Sequence, residues 1–265
     1  MSEPADQHGD VISDAHNHLH THLPIQALRF LRAHYAQPLT IYDLADHLAY
    51  SESHITRLFS RYIGFSPVAY LSMIRLHEAK RLLLLEDATV AEACYEVGYS
   101  SVGTFTRRFT KAVGVAPGLF RRSGDRIAES TLPERSIFTQ ASPYTARIHL
   151  DIPQQIRPLL GPAPFQWIGT FSAPIPHGLP YSGTLRRGII DVEIPIFPHA
   201  HHILATVTPS GADPEEHLAP LTPFVALGSA PLQPRGKKTE ITLSVHPSRE
   251  IYPPLLVALA AAYSV

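Results

Sequence analysis

Ser51-Glu-Ser-His-Ile-Thr-Arg-Leu-Phe59 and Ser101-Val-Gly-Thr-Phe-Thr-Arg-Arg-Phe109 share one pattern, Ser-x-x-x-apolar-Thr-Arg-x-Phe. The correspondence continues through Arg61 and Lys111, Ile63 and Val113, Gly64 and Gly114, and Pro67 and Pro117. Upstream it slips by one residue: Thr40-Ile41 aligns with Thr89-Val90, Leu44 with Ala93, Leu48 with Val97, and Tyr50 with Tyr99. Such self-similarity marks one supersecondary unit used twice. Each copy spells a short helix, a tight turn, a second helix and a glycine stop.

Local chemistry sets the boundaries. Thr89 and Glu92 have capping-box spacing, and Thr40 with Asp43 is a weaker version. Ser51 and Ser101 suit the N-cap of each second helix. Gly64 and Gly114 fit the left-handed position that closes it. Ser66-Pro67 restarts a helix with proline in its first turn. That helix, about 67–85, joins the copies, and Leu71, Ile74, Leu82 and Leu85 contribute to its apolar stripe.

The second helices carry the chemistry. In the first copy Ile55, Leu58, Phe59 and Tyr62 recur at i, i+3, i+4, i+7 and are expected to face a core. Ser53, Thr56, Arg57 and Ser60 then face outward. In the second copy Phe105, Phe109, Ala112 and Val113 point inward, leaving Val102, Gly103, Thr106, Arg107 and Thr110 outside. Each outer face centres on Thr-Arg among small residues. Small side chains let a helix sit deep in a major groove, where an arginine can bond both acceptors of a guanine. Ser51, Arg61, Ser101, Arg108 and Lys111 are the expected phosphate contacts, and Arg121 and Arg122 lie where they reach phosphates too. Residues 25–123 hold 12 Lys and Arg against 8 Asp and Glu, a local excess of +4 within a chain of net charge −1. So modest an excess argues from placement, not from bulk charge.

Composition bounds the rest. A chain of 265 residues accommodates two compact domains. Its apolar runs fall short of the roughly 18 residues that span a bilayer, and no basic-then-apolar leader opens it. One cysteine, Cys94, excludes an internal disulfide and fits a reducing, cytoplasmic setting. Cys94 also falls on a core position of the second copy, so a buried thiol is expected. Residues 1–24 show no periodicity and read as a disordered, His-rich tail. Residues 25–123 read as helices, and 124–145 as a polar linker. Of the 25 prolines, 20 follow residue 130, which excludes long helices there and confines proline to strand edges and turns. In 146–265 the short apolar runs Ala146–Ile152, Gln166–Phe171, Gly188–Ile194, Ile203–Val207, Pro223–Leu227 and Glu240–Val245 predict strands separated by turns. The fold class expected is therefore multidomain, an all-α N-terminal double helix-turn-helix domain followed by an all-β, sandwich-like C-terminal domain.

Residues 25–123 resemble the DNA-binding domain of the AraC/XylS family, seven helices with two helix-turn-helix units joined by a long helix. The most specific match is Gly98-Tyr-Ser-Ser-Val-Gly-Thr-Phe-Thr-Arg-Arg-Phe109 followed by Gly114-Val-Ala-Pro117. The resemblance implies that helices near 52–63 and 102–113 read two adjacent major grooves. Base reading then falls to Ser53, Thr56 and Arg57, and to Val102, Gly103, Thr106 and Arg107. Val102 and Gly103 depart from the longer polar residues many relatives carry, and Val102 suits a thymine methyl. The implied partners are double-stranded DNA and RNA polymerase, the implied role a bacterial activator. Many relatives place this domain last, whereas here it comes first. Trp167-Ile-Gly-Thr-Phe-Ser-Ala-Pro-Ile-Pro176 is similar to a C-terminal domain of some actinobacterial AraC-like proteins, related to transthyretin-like sandwiches. Two roles stand open for 146–265: a site for a small-molecule effector, or an assembly and partner-docking module.

Other chemistry is sparse. His16, His18, His20 and His22 alternate, so an extended strand would align them as a candidate site for zinc, copper or nickel and make the chain metal-responsive. The alternative is a plain polar tail. His199, His201 and His202 form a second cluster, expected in an exposed loop. No nucleophile–base pair, phosphate loop or metal-hydrolase spacing occurs, so neither an enzyme nor a cofactor is expected.

Overall fold

The computed structural model describes residues 22–85, 88–129, 134–138, 141–175, 177–200, 202–221, 223–228, 237–249, 252 and 254–257. The chain divides into two compact units. One runs to Arg75 and includes Ile251–Pro253; the other comprises Leu76–Glu250 and Pro254–Val265.

The first unit contains α1 (22–33), α2 (Ile41–His47), α3 (Glu52–Ile63) and the first part of α4 (Pro67–Leu85). Leu23, Ala27, Leu28 and Leu31 line one face of α1 at helical spacing. They close on Leu44, Ala45, Ile55, Phe59, Tyr70, Leu71 and Ile74 to form its core. Phe59 and Tyr70 meet edge to face, with centroids 5.7 Å apart. The buried Tyr70 hydroxyl accepts from Arg32 Nη2 at 2.9 Å and donates to the Tyr252 carbonyl at 3.2 Å, so its desolvated polar end is satisfied. Arg75 closes the loop after α1 by donating to the carbonyls of Tyr35 (2.7 Å) and Gln37 (2.6 Å). The tail expected over 1–24 thus ends sooner, because the apolar stripe of α1 recruits His22 and Leu23 into the helix. His16, His18 and His20 lie outside the described residues. His22 is helical, so an extended histidine strand does not run through it.

The second unit begins with the rest of α4, then α5 (Val90–Glu96), α6 (Val102–Val113) and α7 (Pro117–Glu129). Its strands are β1 (Arg135–Phe138), β2 (Tyr144–Asp151), β3 (Phe165–Phe171), β4 (His177–Gly178), β5 (Ser182–Arg187), β6 (Val192–Ile196), β7 (His202–Thr208), β8 (Phe224–Leu227), β9 (Lys238–Ser244), β10 (His246–Pro247) and β11 (Leu256–Val257). Short helices α8 (Arg157–Leu160) and α9 (Pro214–Leu218) interrupt them. Six strands form an antiparallel sheet in the order β1-β5-β3-β7-β8-β10, and three form β6-β2-β9. Strand β2 pairs antiparallel with β6 and parallel with β9. One apolar core joins the two sheets: Ile148, Leu150, Ile194, Ile196 and Leu243 from the smaller, Ile168, Ile203, Ala205, Val207 and Ala226 from the larger. Pro195 and Pro247 lie in β6 and β10, both edge strands, where a missing N–H costs no ladder bond.

Three expectations need correction. Residues 124–145 are not an irregular linker throughout, since α7 continues to Glu129 and β1 pairs with β5. The strand expected over Gly188–Ile194 starts only at Val192, because Gly188 turns the chain at φ 79°. Strand β5 was not expected at all. Its Ser-Gly-Thr-Leu-Arg-Arg sequence has no apolar alternation, yet β1 and β3 flank it and Ser182, Gly183, Thr184 and Leu185 are buried. Hydrogen bonding replaces hydrophobicity there: Ser182 Oγ pairs with Thr170 Oγ1 at 3.0 Å and donates to the Pro195 carbonyl.

Candidate nucleic-acid interface

Both helix pairs are built the same way. Thr40 Oγ1 accepts from the Asp43 N–H at 3.3 Å while the Asp43 carboxylate accepts from the Thr40 N–H at 2.7 Å. Thr89 and Glu92 repeat this at 3.2 and 2.8 Å. The first box, expected to be the weaker, is thus complete. Hydrogen bonds from Thr40 hold the Asp43 carboxyl below the usual carboxylate range, and those from Thr89 do the same for Glu92.

The turns match as closely. Tyr50 N–H donates to the Ala45 carbonyl and Ala49 N–H to that of Asp46, both at 3.0 Å. Tyr99 to Cys94 and Gly98 to Tyr95 repeat the pair, again at 3.0 Å. This is the Schellman arrangement, and its left-handed residue is Gly98 (φ 83°) in one copy and Ala49 (φ 58°) in the other. The turn was legible as a turn; the left-handed site was not singled out, although aligning Ala49 with Gly98 marks it.

Each second helix is then launched by a serine. Ser51 Oγ accepts from His54 N–H at 3.3 Å and Ser101 Oγ from Thr104 N–H at 3.4 Å. Gly64 and Gly114 end the helices at φ 89° and 88°. In α6, Phe105, Phe109, Ala112 and Val113 are buried as expected. In α3, Ile55 and Phe59 are buried and Leu58 is partly so, but Tyr62 is 40 % exposed. Ala112 fits fully at the matching position of α6; the larger, hydroxyl-bearing Tyr62 stays at the rim.

The opposite faces are open. Ser53 and Arg57 are exposed on α3, Gly103 and Arg107 on α6, with Thr56, Val102 and Thr106 half-buried beside them. Arg61, Arg108 and Lys111 are exposed, and the Arg108 guanidinium lies 6.0 Å from the Tyr99 ring centroid. A Cβ on Gly103 would meet nothing nearer than Ser101 Oγ at 3.9 Å. Packing therefore does not demand glycine there, although glycine inside a helix costs up to about 1 kcal/mol relative to alanine. The arrangement is a pair of helices, each with a smooth polar face bearing one long cation.

The helix-turn-helix domain family matches residues 44–123, a span that begins within α2 and takes in α3 to α6. This region matches a helix-turn-helix domain. The chain is 32% identical over 97 residues to YobQ, an uncharacterised helix-turn-helix-type transcriptional regulator of Bacillus subtilis, a match covering 37% of this chain and 40% of that one. It is 30% identical over 95 residues to the lactose operon transcription activator of Staphylococcus xylosus, covering 36% and 34%. With the right origin-binding protein of Escherichia coli it shares 30% identity over 122 residues, 42% of each chain. The chain thus spans less than half the length of these relatives. The helix-turn-helix region buries Cys94, whose thiol lies 3.8 Å from the Tyr99 carbonyl and is pushed up by desolvation, as befits a core residue.

Elsewhere, His199 packs on the rings of Tyr181 and Phe197 at centroid distances of 4.5 and 5.7 Å. His201 lies outside the described residues, and His202 opens β7. Among the described residues, no three His, Cys, Asp or Glu side chains are grouped to hold a metal ion. No helix among them is long and apolar enough to cross a membrane.

Proposed function

We propose that this protein is a sequence-specific transcription regulator that reads double-stranded DNA with α3 and α6, each in a major groove. One observation carries the reading. Two identically capped helices each bury a phenylalanine face and expose a Thr-Arg face among small residues. In this reading Ser53, Thr56 and Arg57, then Val102, Gly103, Thr106 and Arg107, face base edges. Ser51, Arg61, Ser101, Arg108 and Lys111 hold phosphates. The name of the Staphylococcus relative supports activation, and with it a contact to RNA polymerase.

The β-rich region is the sandwich-like half of the regulator and serves response or assembly. Its cleft lined by Thr206, His217, Phe224 and Leu255 has a volume of ≈ 10 Å³, space for one water. A small-molecule effector there requires the cleft to widen.

Selection of bound sequences from random DNA tests the function. The two faces differ (Glu52 and Ser53 against Val102 and Gly103), so the enriched site should contain two unlike half-motifs. Failure to enrich any sequence refutes DNA reading, and identical palindromic halves refute its assignment to α3 and α6.

A further inference from the structure

Lys80 of α4 is fully buried, and burial drives its ammonium down to about 7. No carboxylate among the described residues pairs with it. Its Nζ donates instead to the Leu255 carbonyl at 3.0 Å, with the Phe120 ring centroid 5.8 Å away. A buried cation without a counter-charge is expensive, and an apolar side chain of similar volume would fill the space at less cost. What the lysine adds is a directed bond to one backbone oxygen.

That oxygen begins a relay. Leu256 and Val257 follow it and pair in parallel with His177 and Gly178 of β4. Gly178 has φ 76°, and a Cβ on it would lie 2.8 Å from the Lys111 carbonyl oxygen. The backbone of β4 therefore lies against the last turn of α6 so closely that only glycine fits. Next to Lys80, Arg81 binds Glu215 of α9 at 3.3 Å. Gly103 and Arg107 remain exposed, so the contact supports α6 without covering its reading face.

We infer that the segment Pro254–Val257 is an internal brace that fixes the pose of α6, and that Lys80 is the positioning residue that latches it. The inference rests on the reading that α6 contacts DNA. Releasing the brace loosens α6 while leaving every proposed base-reading side chain in place, so the C-terminal end of the chain sets how well one half-motif is read.

Three variants of the full chain release the brace by different routes. Lys80→Met removes the donor, Gly178→Ala drives β4 off Lys111, and a chain ending at Pro253 removes the segment but keeps Tyr252. Amide hydrogen exchange and binding to the selected DNA site are measured for each. Exchange within 102–113 should rise about tenfold or more, with 52–63 unchanged, as expected for local opening of one element. Affinity for the intact site should fall about tenfold, and affinity for a site with the α6 half-motif scrambled should not change. A variant merely destabilised would lose protection in both helices and affinity for both sites, which overturns the inference. So does α6 protection within about twofold of the parent in Gly178→Ala and the shortened chain. Should the parent select no DNA sequence, the DNA reading fails, while the exchange comparison still decides the brace.

Discussion

Ala49 adopts φ 58° in the turn between α2 and α3, where the other helix pair has Gly98 at φ 83°. A left-handed backbone costs an L-residue roughly 1–2 kcal/mol, because Cβ approaches the following carbonyl oxygen. Glycine escapes that penalty and returns part of the gain as unfolded-state entropy. Ala49 is exposed, so its methyl contributes little packing. Ala49→Gly should therefore stabilise the protein by about 0.5–1 kcal/mol, and Gly98→Ala should destabilise it by about 1 kcal/mol. Urea unfolding of both variants checks this, and opposite signs are the outcome required. The two turns have matching hydrogen bonds, so the comparison isolates the side chain from the motif.

The helices were legible because their signals are local. Caps three residues apart, a glycine stop and an apolar period need no tertiary knowledge, and Thr40, Thr89, Ser51, Ser101, Gly64 and Gly114 all act where the sequence places them. Tyr62 was misplaced because period alone ignores size. Strand β5 escaped because its burial comes from flanking strands and a Ser182–Thr170 hydrogen bond, neither of which is encoded as hydrophobicity. Within α3 and α6 the proposed roles separate by position on the helix. Arg57 projects from the outer face, while Lys111 sits in the last turn of α6. A base contact discriminates and a phosphate contact only attracts. Arg57→Ala should cost about 1–3 kcal/mol of binding and relax preference at one base position. Lys111→Ala should weaken all sequences alike and reduce the salt slope by about one. Binding isotherms over single-base site variants and several salt concentrations decide it. A uniform loss for Arg57→Ala makes Arg57 a phosphate contact.

At the scale of the molecule, the division into helical and β-rich halves was legible from where the prolines begin, but not the manner of joining. Lys80 meets a carbonyl 175 residues away and Arg81 meets Glu215; no periodicity announces such pairs. They place the second helix pair and the sheets in one compact unit, although 124–145 reads in the sequence as a polar linker. Two of the buried bases in that unit, His217 and Lys80, make stability depend on pH. Burial pushes His217, which stacks edge-on against Phe165, down to about 4, with Asp213 opposing part of the shift. Lys80 is pushed down to about 7. In each case the unfolded chain holds its proton to a higher pH than the folded one. Stability is therefore lowest where both must be charged, and it rises with pH wherever only the unfolded state binds the proton. For His217 that window runs from about 4 to the ordinary 6.5, and for Lys80 from about 7 to the ordinary 10.5. Within its window each group adds a slope of at most about 1.4 kcal/mol per pH unit. Unfolding free energies measured from pH 4 to 10 should climb in two steps. His217→Phe, which keeps a ring against Phe165, should remove the acid step alone, and Lys80→Met the alkaline step alone. If Lys80→Met retains the alkaline rise, the ammonium stays charged in the folded protein throughout, held by the Leu255 carbonyl.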